Sequence, residues 1–156
     1  MQNAEKETKM EENIIQQNDV TSVEYRQMME AQLAYDIWFM NDHYKYKWDD
    51  DFSWDKNCFP LEFGNGWLQS FYELCTQLLT EVKSDFRVEQ IKEKFGGGRF
   101  YYSGDITPYG EELIRQWEVD MESVCEVCGK PGKLRTDGWW MALCNDCYEK
   151  SEKGEE

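Results

Sequence analysis

The chain has 156 residues, a single-domain length with room for one sizeable core and not two. Its 17 Lys and Arg stand against 32 Asp and Glu, a formal charge of −15, which excludes the basic balance of a protein that coats a phosphate backbone. Leu, Ile, Val and Phe supply only about a fifth of the residues, a flag for disorder at this charge. Seven Trp, nine Tyr and eight Phe answer that flag, so a folded acidic domain with polar ends is expected.

Residues 1–20 are polar, lack a sustained period and read as a disordered N-terminal tail. They hold no apolar signal-peptide core, and no run in the chain approaches the roughly 18 apolar residues of a membrane span. A reducing cytosol, without membrane contact, is the expected setting. A first helix opens near Thr21, where Thr21-Ser22-Val23-Glu24 is a capping box. Tyr25, Met29, Leu33, Ile37 and Met40 then make one apolar face.

Residues 41–62 break the helical period. Asp49, Asp50, Asp51 and Asp55 interleave with Trp48, Phe52 and Trp54. The spacing fits no calcium loop, so the segment reads as a solvated acidic loop, with Asp49, Asp50 and Asp51 as a candidate contact surface. The single histidine, His43, has no evident catalytic or metal partner, and Cys58 has no evident place. Asn65-Gly66 then marks a tight turn. A second helix follows from Trp67 to Val82, with Leu68, Phe71, Cys75, Leu78 and Val82 on its apolar face.

Two strands come next, Phe86 to Lys94 and Arg99 to Ser103, with Phe86, Val88 and Gln90 alternating. Phe95-Gly96-Gly97-Gly98 joins them, glycines supplying the positive φ values of a hairpin. A third helix opens at Thr107-Pro108, a capping threonine before a proline at the first helical position. Its stripe is Leu113, Ile114, Trp117, Met121 and Val124.

Six cysteines are present, four of them in two CxxC pairs, Cys125 with Cys128 and Cys144 with Cys147. Fifteen residues separate the pairs, which matches a zinc pattern. Zinc takes four soft ligands in a tetrahedron, and two knuckles on a short hairpin deliver them. Four protein ligands leave no open position, so one structural Zn2+ per chain is expected. Disulfides in an oxidising compartment are the alternative. Between the pairs, Lys133–Thr136 and Trp139–Leu143 flank Asp137-Gly138, a favoured type I′ turn. The expected architecture is α+β: helices packed on a short antiparallel hairpin over residues 21–124, a four-cysteine zinc ribbon over 125–148 and an acidic tail over 149–156.

Charge is uneven along the chain. Residues 104–127 hold seven acids and one base, whereas 85–103 and 128–144 each carry a basic excess. Lys92, Lys94 and Arg99, beside Phe95, Tyr101, Trp139 and Trp140, form a candidate binding surface suited to stacking bases or anchoring a protein. Trp139 and Trp140 are adjacent on a predicted strand and so point to opposite faces. At most one can enter the ribbon's own core, and the other faces the main domain, solvent or a partner, with the main domain favoured. No Ser-His-Asp or Cys-His set is present. The glycine run lacks the GK[ST] ending of a phosphate loop and leads into a strand. No enzyme activity and no small-molecule substrate are expected.

The segment Gln90-Ile91-Lys92-Glu93-Lys94-Phe95-Gly96-Gly97-Gly98-Arg99-Phe100-Tyr101 resembles the QIKEKFGGLRFY motif of small zinc-ribbon proteins of unknown function from bacteria, prophages and phages. Phe63-Gly64-Asn65-Gly66-Trp67 is similar to the motif that opens that group's central helix, and Cys125–Gly132 with Gly138-Trp139 to its ribbon. The resemblance covers roughly residues 59–148. Gly98 departs from the usual Leu, which removes a side chain from the hairpin. The resemblance implies the fold and a mobile-element setting in a host bacterial cytosol, and no catalytic residues. Three functions follow. The first is a phage or mobile-element protein that blocks a host nucleic-acid-targeting defence machine, such as a CRISPR effector, its acidic surface occupying a basic channel of a protein or protein–nucleic-acid complex. The second is direct nucleic-acid binding by the basic end, which is disfavoured. The third is a metal-dependent nuclease.

Overall fold

The computed structural model describes residues 19–40 and 61–154. The readings on His43, Asp49, Asp50, Asp51 and Cys58 lie outside the described residues. Among the described residues, four helices and two small sheets make a mixed α+β fold, as the pattern predicts. In chain order they are α1 (Val23–Met40), β1 (Leu61–Glu62), α2 (Leu68–Leu78), β2 (Arg87–Lys94), β3 (Gly97–Ser103), α3 (Pro108–Asp120), β4 (Lys133–Arg135), β5 (Met141–Leu143) and α4 (Asn145–Glu152). A short 3-10 turn, Asn65–Trp67, leads into α2. The first sheet has the order β1-β2-β3, with β1 parallel and β3 antiparallel to β2; β4 and β5 form the second, antiparallel sheet. Among the described residues no helix is long and apolar enough to cross a membrane.

The five predicted apolar positions of α1 are all buried, and α1 packs on α2. Its cap sits one residue later than expected. Ser22 Oγ accepts from the Tyr25 amide at 3.1 Å, while Asp19 accepts from the Thr21 amide and hydroxyl, each at 2.8 Å. Thr21 is therefore held by Asp19, and the Thr21–Glu24 box does not form. The second helix is shorter than predicted. It stops at Leu78, and Val82 instead bridges to Ile106, where chain direction is set by pairing. Thr107 and Pro108 start α3 as expected, with the Gly110 amide donating to Thr107 Oγ1 at 3.1 Å.

The hairpin turns on two residues, not four. Phe95 and Gly96 both have positive φ, +53° and +79°, and β3 begins at Gly97. A bulge between Val88 and Gln90 breaks the expected alternation. The extra residue shifts the core face from Val88 to Ile91 and turns Gln90 outward beside Tyr101. Under this sheet, Phe63, Trp67, Phe71 and Trp117 form an aromatic core with ring centroids 5.5 to 6.2 Å apart. Gly98 makes room for it. A Cβ there would lie 2.6 Å from the Trp117 ring, so the aromatic fills the space a leucine would take.

Side chains close both sheet edges. Arg26 donates to the Leu61 and Phe63 carbonyls at 2.7 and 2.6 Å and covers β1. Glu118 on α3 accepts from the Phe100 amide at 3.0 Å and covers β3. Each edge is thus capped by a side chain at these positions.

Candidate metal centre and adjoining groove

The C-terminal module brings four thiols to one point. Cys125 and Cys128 come from the turn after α3, Cys144 caps α4 and Cys147 lies in that helix's first turn. Their sulfurs all lie within 4.8 Å of one another, with Cys128 and Cys144 Sγ 3.6 Å apart. A tetrahedral site with metal–sulfur bonds of about 2.3 Å has edges of about 3.8 Å, so the cluster is the right size for one ion. None of the five described cysteines is joined in a disulfide. The Cys147 amide donates to Cys144 Sγ and draws that thiol down to about 7. Burial pushes the Cys128 and Cys147 thiols up. A bound cation would supply the charge that lets all four act as thiolates.

The first knuckle is built into the main core. The Gly66 amide donates to the Glu126 carbonyl at 2.8 Å, the Gly64 amide to Glu126 Oε2 at 2.9 Å, and Trp67 Nε1 to the Val124 carbonyl at 2.9 Å. A Cβ on Gly66 would fall 2.1 Å from the Cys125 carbonyl oxygen, so only glycine allows this approach. Glu126 is itself buried, and burial pushes its carboxyl above the usual range. Its Oε1 has no hydrogen-bond partner among the described residues. Gly129 takes φ +83° to close the knuckle, and its amide donates to the Cys125 carbonyl at 2.9 Å.

The hairpin between the cysteine pairs differs from the expected one. β4 and β5 pair Lys133 with Leu143 through Arg135 with Met141, which leaves Thr136–Trp140 as a five-residue loop. Trp139 and Trp140 are therefore loop residues. The opposite-face argument fails, and neither enters a core: they are 83% and 45% exposed. The loop is anchored from behind by α4. Tyr148 donates to the Asp137 carboxylate, which holds that carboxyl low and the phenol high, and the Arg135 guanidinium lies 4.4 Å above the Tyr148 ring. Residues 149–152, expected to be part of an acidic tail, are thus the second half of α4.

This loop faces the tip of the β2–β3 hairpin across a groove of about 890 Å³. Phe95, 63% exposed, meets Trp140 edge to face at 6.2 Å, and Leu134 forms the floor beneath Gly96. Lys92, Lys94 and Arg99 line the groove with Glu93 and Glu122. Six of the seven residues singled out in the basic–aromatic set thus share one groove. Tyr101 lies apart, on the outer sheet face with Glu62, Glu89 and Lys92. Sequence reasoning missed Glu126 and read Gly64 and Gly66 only as part of a turn and a motif, not as the seat of the knuckle. The visible signal was the Gly-Asn-Gly-Trp run, whose two glycines need a close neighbour to explain them. No family model, no curated protein and no solved structure matches the chain.

Proposed function

We propose that the protein is a non-enzymatic interaction module in which one structural Zn2+, held by Cys125, Cys128, Cys144 and Cys147, staples a ribbon against the main core. The two hairpin tips so fixed present an aromatic groove to a macromolecular partner. Thiolate-only tetrahedral donors suit zinc, and four of them leave no position for a substrate.

The observation that carries this reading is Phe95. A non-glycine residue with φ +53° costs on the order of 1–2 kcal/mol, and a two-residue hairpin turn favours Asn or Gly there. The side chain recovers little by burial, being 63% exposed. A strained, exposed phenylalanine in edge-to-face contact with exposed Trp140, with Trp139 lining the same groove, is the profile of a binding hot spot.

The setting proposed is a phage or mobile element, from the motif resemblance, and the target a host nucleic-acid-targeting defence machine. Exposed Glu111, Glu112, Asp120 and Glu122 on and after α3 form an acidic flank that favours a basic protein surface and repels nucleic acid. The test is an affinity pulldown from bacterial lysate with the zinc-loaded full chain and with a Phe95→Asn/Trp140→Ala variant. Nuclease-resistant partners that the variant loses support the reading. Partners that both proteins retain equally contradict it, and partners lost on nuclease treatment move the assignment to nucleic-acid binding.

A further inference from the structure

Resting on that reading, we infer that the groove between the Phe95 and Trp139–Trp140 tips accepts a short protein segment carrying an apolar or aromatic anchor beside a single carboxylate. The apolar half follows from the walls. Phe95, Trp140 and Leu134 meet around a space of about 890 Å³, within the size range of sites that enclose a few side chains.

The carboxylate follows from the charges on the rim. Three cations, Lys92, Lys94 and Arg99, line the groove, and among the described residues no carboxylate forms an ion pair with any of them. Glu93 Oε1 accepts from the Gly96 amide at 2.9 Å, Arg99 donates to the Gly98 carbonyl at 2.8 Å, and the Arg99 guanidinium and Glu122 carboxylate share the space beside Gly97, so three cations against two carboxylates leave one net positive charge on the rim. Lys94 lies over the Phe95 ring at 5.6 Å, so the cation and the apolar wall sit side by side. An anchor and an adjacent carboxylate match that pairing.

The surroundings exclude a longer polyanion. Glu62 and Glu89 flank Lys92 on the outer sheet face, and Glu122 closes the α3 side. Single-stranded nucleic acid needs a basic track over about 4–16 nucleotides, and this one ends within a few side chains.

The experiment is selection of a phage-displayed random 12-residue peptide library on the zinc-loaded full chain. Fluorescein-labelled oligo(dT) is measured alongside by polarisation. The expected pool is enriched in an aromatic or leucine residue next to Asp or Glu. Enrichment should fall at least tenfold on Phe95→Asn/Trp140→Ala, and the acidic preference should vanish on Lys92→Glu/Lys94→Glu. Both variants change surface residues, and retained zinc content and circular dichroism confirm their folding. A pool without a carboxylate, no enrichment at all, or oligo(dT) binding tighter than the selected peptides overturns the inference. If that happens while a lysate partner still requires Phe95 and Trp140, the interaction reading stands and only this occupant is wrong.

Discussion

Replacing Gly66 by alanine tests how the metal knuckle is joined to the core. The new Cβ would lie 2.1 Å from the Cys125 carbonyl oxygen, 2.6 Å from the Gly129 amide nitrogen and 2.8 Å from the Glu126 carbonyl carbon. All three are backbone atoms of one tight turn, so no side chain can swing aside. The two segments must part, and the 2.8 Å bond from the Gly66 amide to the Glu126 carbonyl is lost. Overpacking of this kind costs about 1–3 kcal/mol and the bond about 1 kcal/mol. Gly66 does not have a left-handed φ, so alanine would otherwise gain about 0.4–1 kcal/mol through the unfolded chain. The net expectation is a loss of about 2 kcal/mol, or roughly 4–8 °C in Tm for a chain of this length. Thermal and urea unfolding at fixed free zinc measure it, and a chelator competition reads the coupled fall in metal affinity. Gly138→Ala is the control. Nothing lies within 4 Å of its Cβ, and only the φ of +108° opposes the change, so about 1–2 kcal/mol is expected with no change in metal affinity. If Gly66→Ala unfolds within about 0.5 kcal/mol of the wild type, the range of an ordinary surface change, the knuckle is not seated on the Asn65–Trp67 turn.

Other substitutions probe separate parts of the account. Cys128→Ser should take the zinc content by native mass spectrometry from one per chain to none and unfold the C-terminal module, since structural zinc contributes on the order of 10 kcal/mol of apparent folding free energy. Gly98→Leu should cost about 1–3 kcal/mol in urea unfolding, because the side chain meets the Trp117 ring, and Trp117→Leu in the same chain should recover part of that loss. Phe95→Asn should leave stability unchanged or slightly raised: relief of about 1–2 kcal/mol of left-handed strain offsets a ring contact worth about 0.5–1.5 kcal/mol. A loss above about 1 kcal/mol in thermal unfolding, the central cost of an ordinary destabilising substitution, would make Phe95 structural. Asp36 is half-buried, and burial raises its carboxyl above 3.8. An acid whose folded pKa is raised binds its proton more tightly when folded, so its contribution to stability falls as pH rises through that window. The stabilisation from Asp36→Asn, measured as a difference from wild type at each pH, should therefore be larger at about pH 7 and shrink toward about pH 4.

Where local chemistry decides, the residues were legible in advance. The apolar stripe of α1, the Thr107–Pro108 start of α3 and the four cysteines each follow from spacing or from one capping bond. Departures came where a distant contact overrode a local pattern. The bulge at Val88/Gln90 shifted the strand period, and Asp19 displaced the cap from Thr21 to Ser22. Trp139 and Trp140 were misplaced because the Asp137-Gly138 turn signal was outweighed by the grip of Tyr148 and Arg135 on the loop. That grip also turned the start of an expected tail into the second half of α4. The groove itself joins residues about 40 positions apart, so composition could suggest its members without showing that they face one another. The seat of the knuckle on Gly64 and Gly66 depends on backbone atoms, which leave no periodic trace.

The most direct test of the zinc-stapled platform is X-ray absorption at the zinc K-edge on the full chain purified without added metal, with elemental analysis of the same sample. One zinc per chain ringed by four sulfurs at about 2.3 Å is the predicted result. A mixed nitrogen or oxygen shell, or a folded protein free of zinc with its cysteines oxidised in pairs, would contradict it.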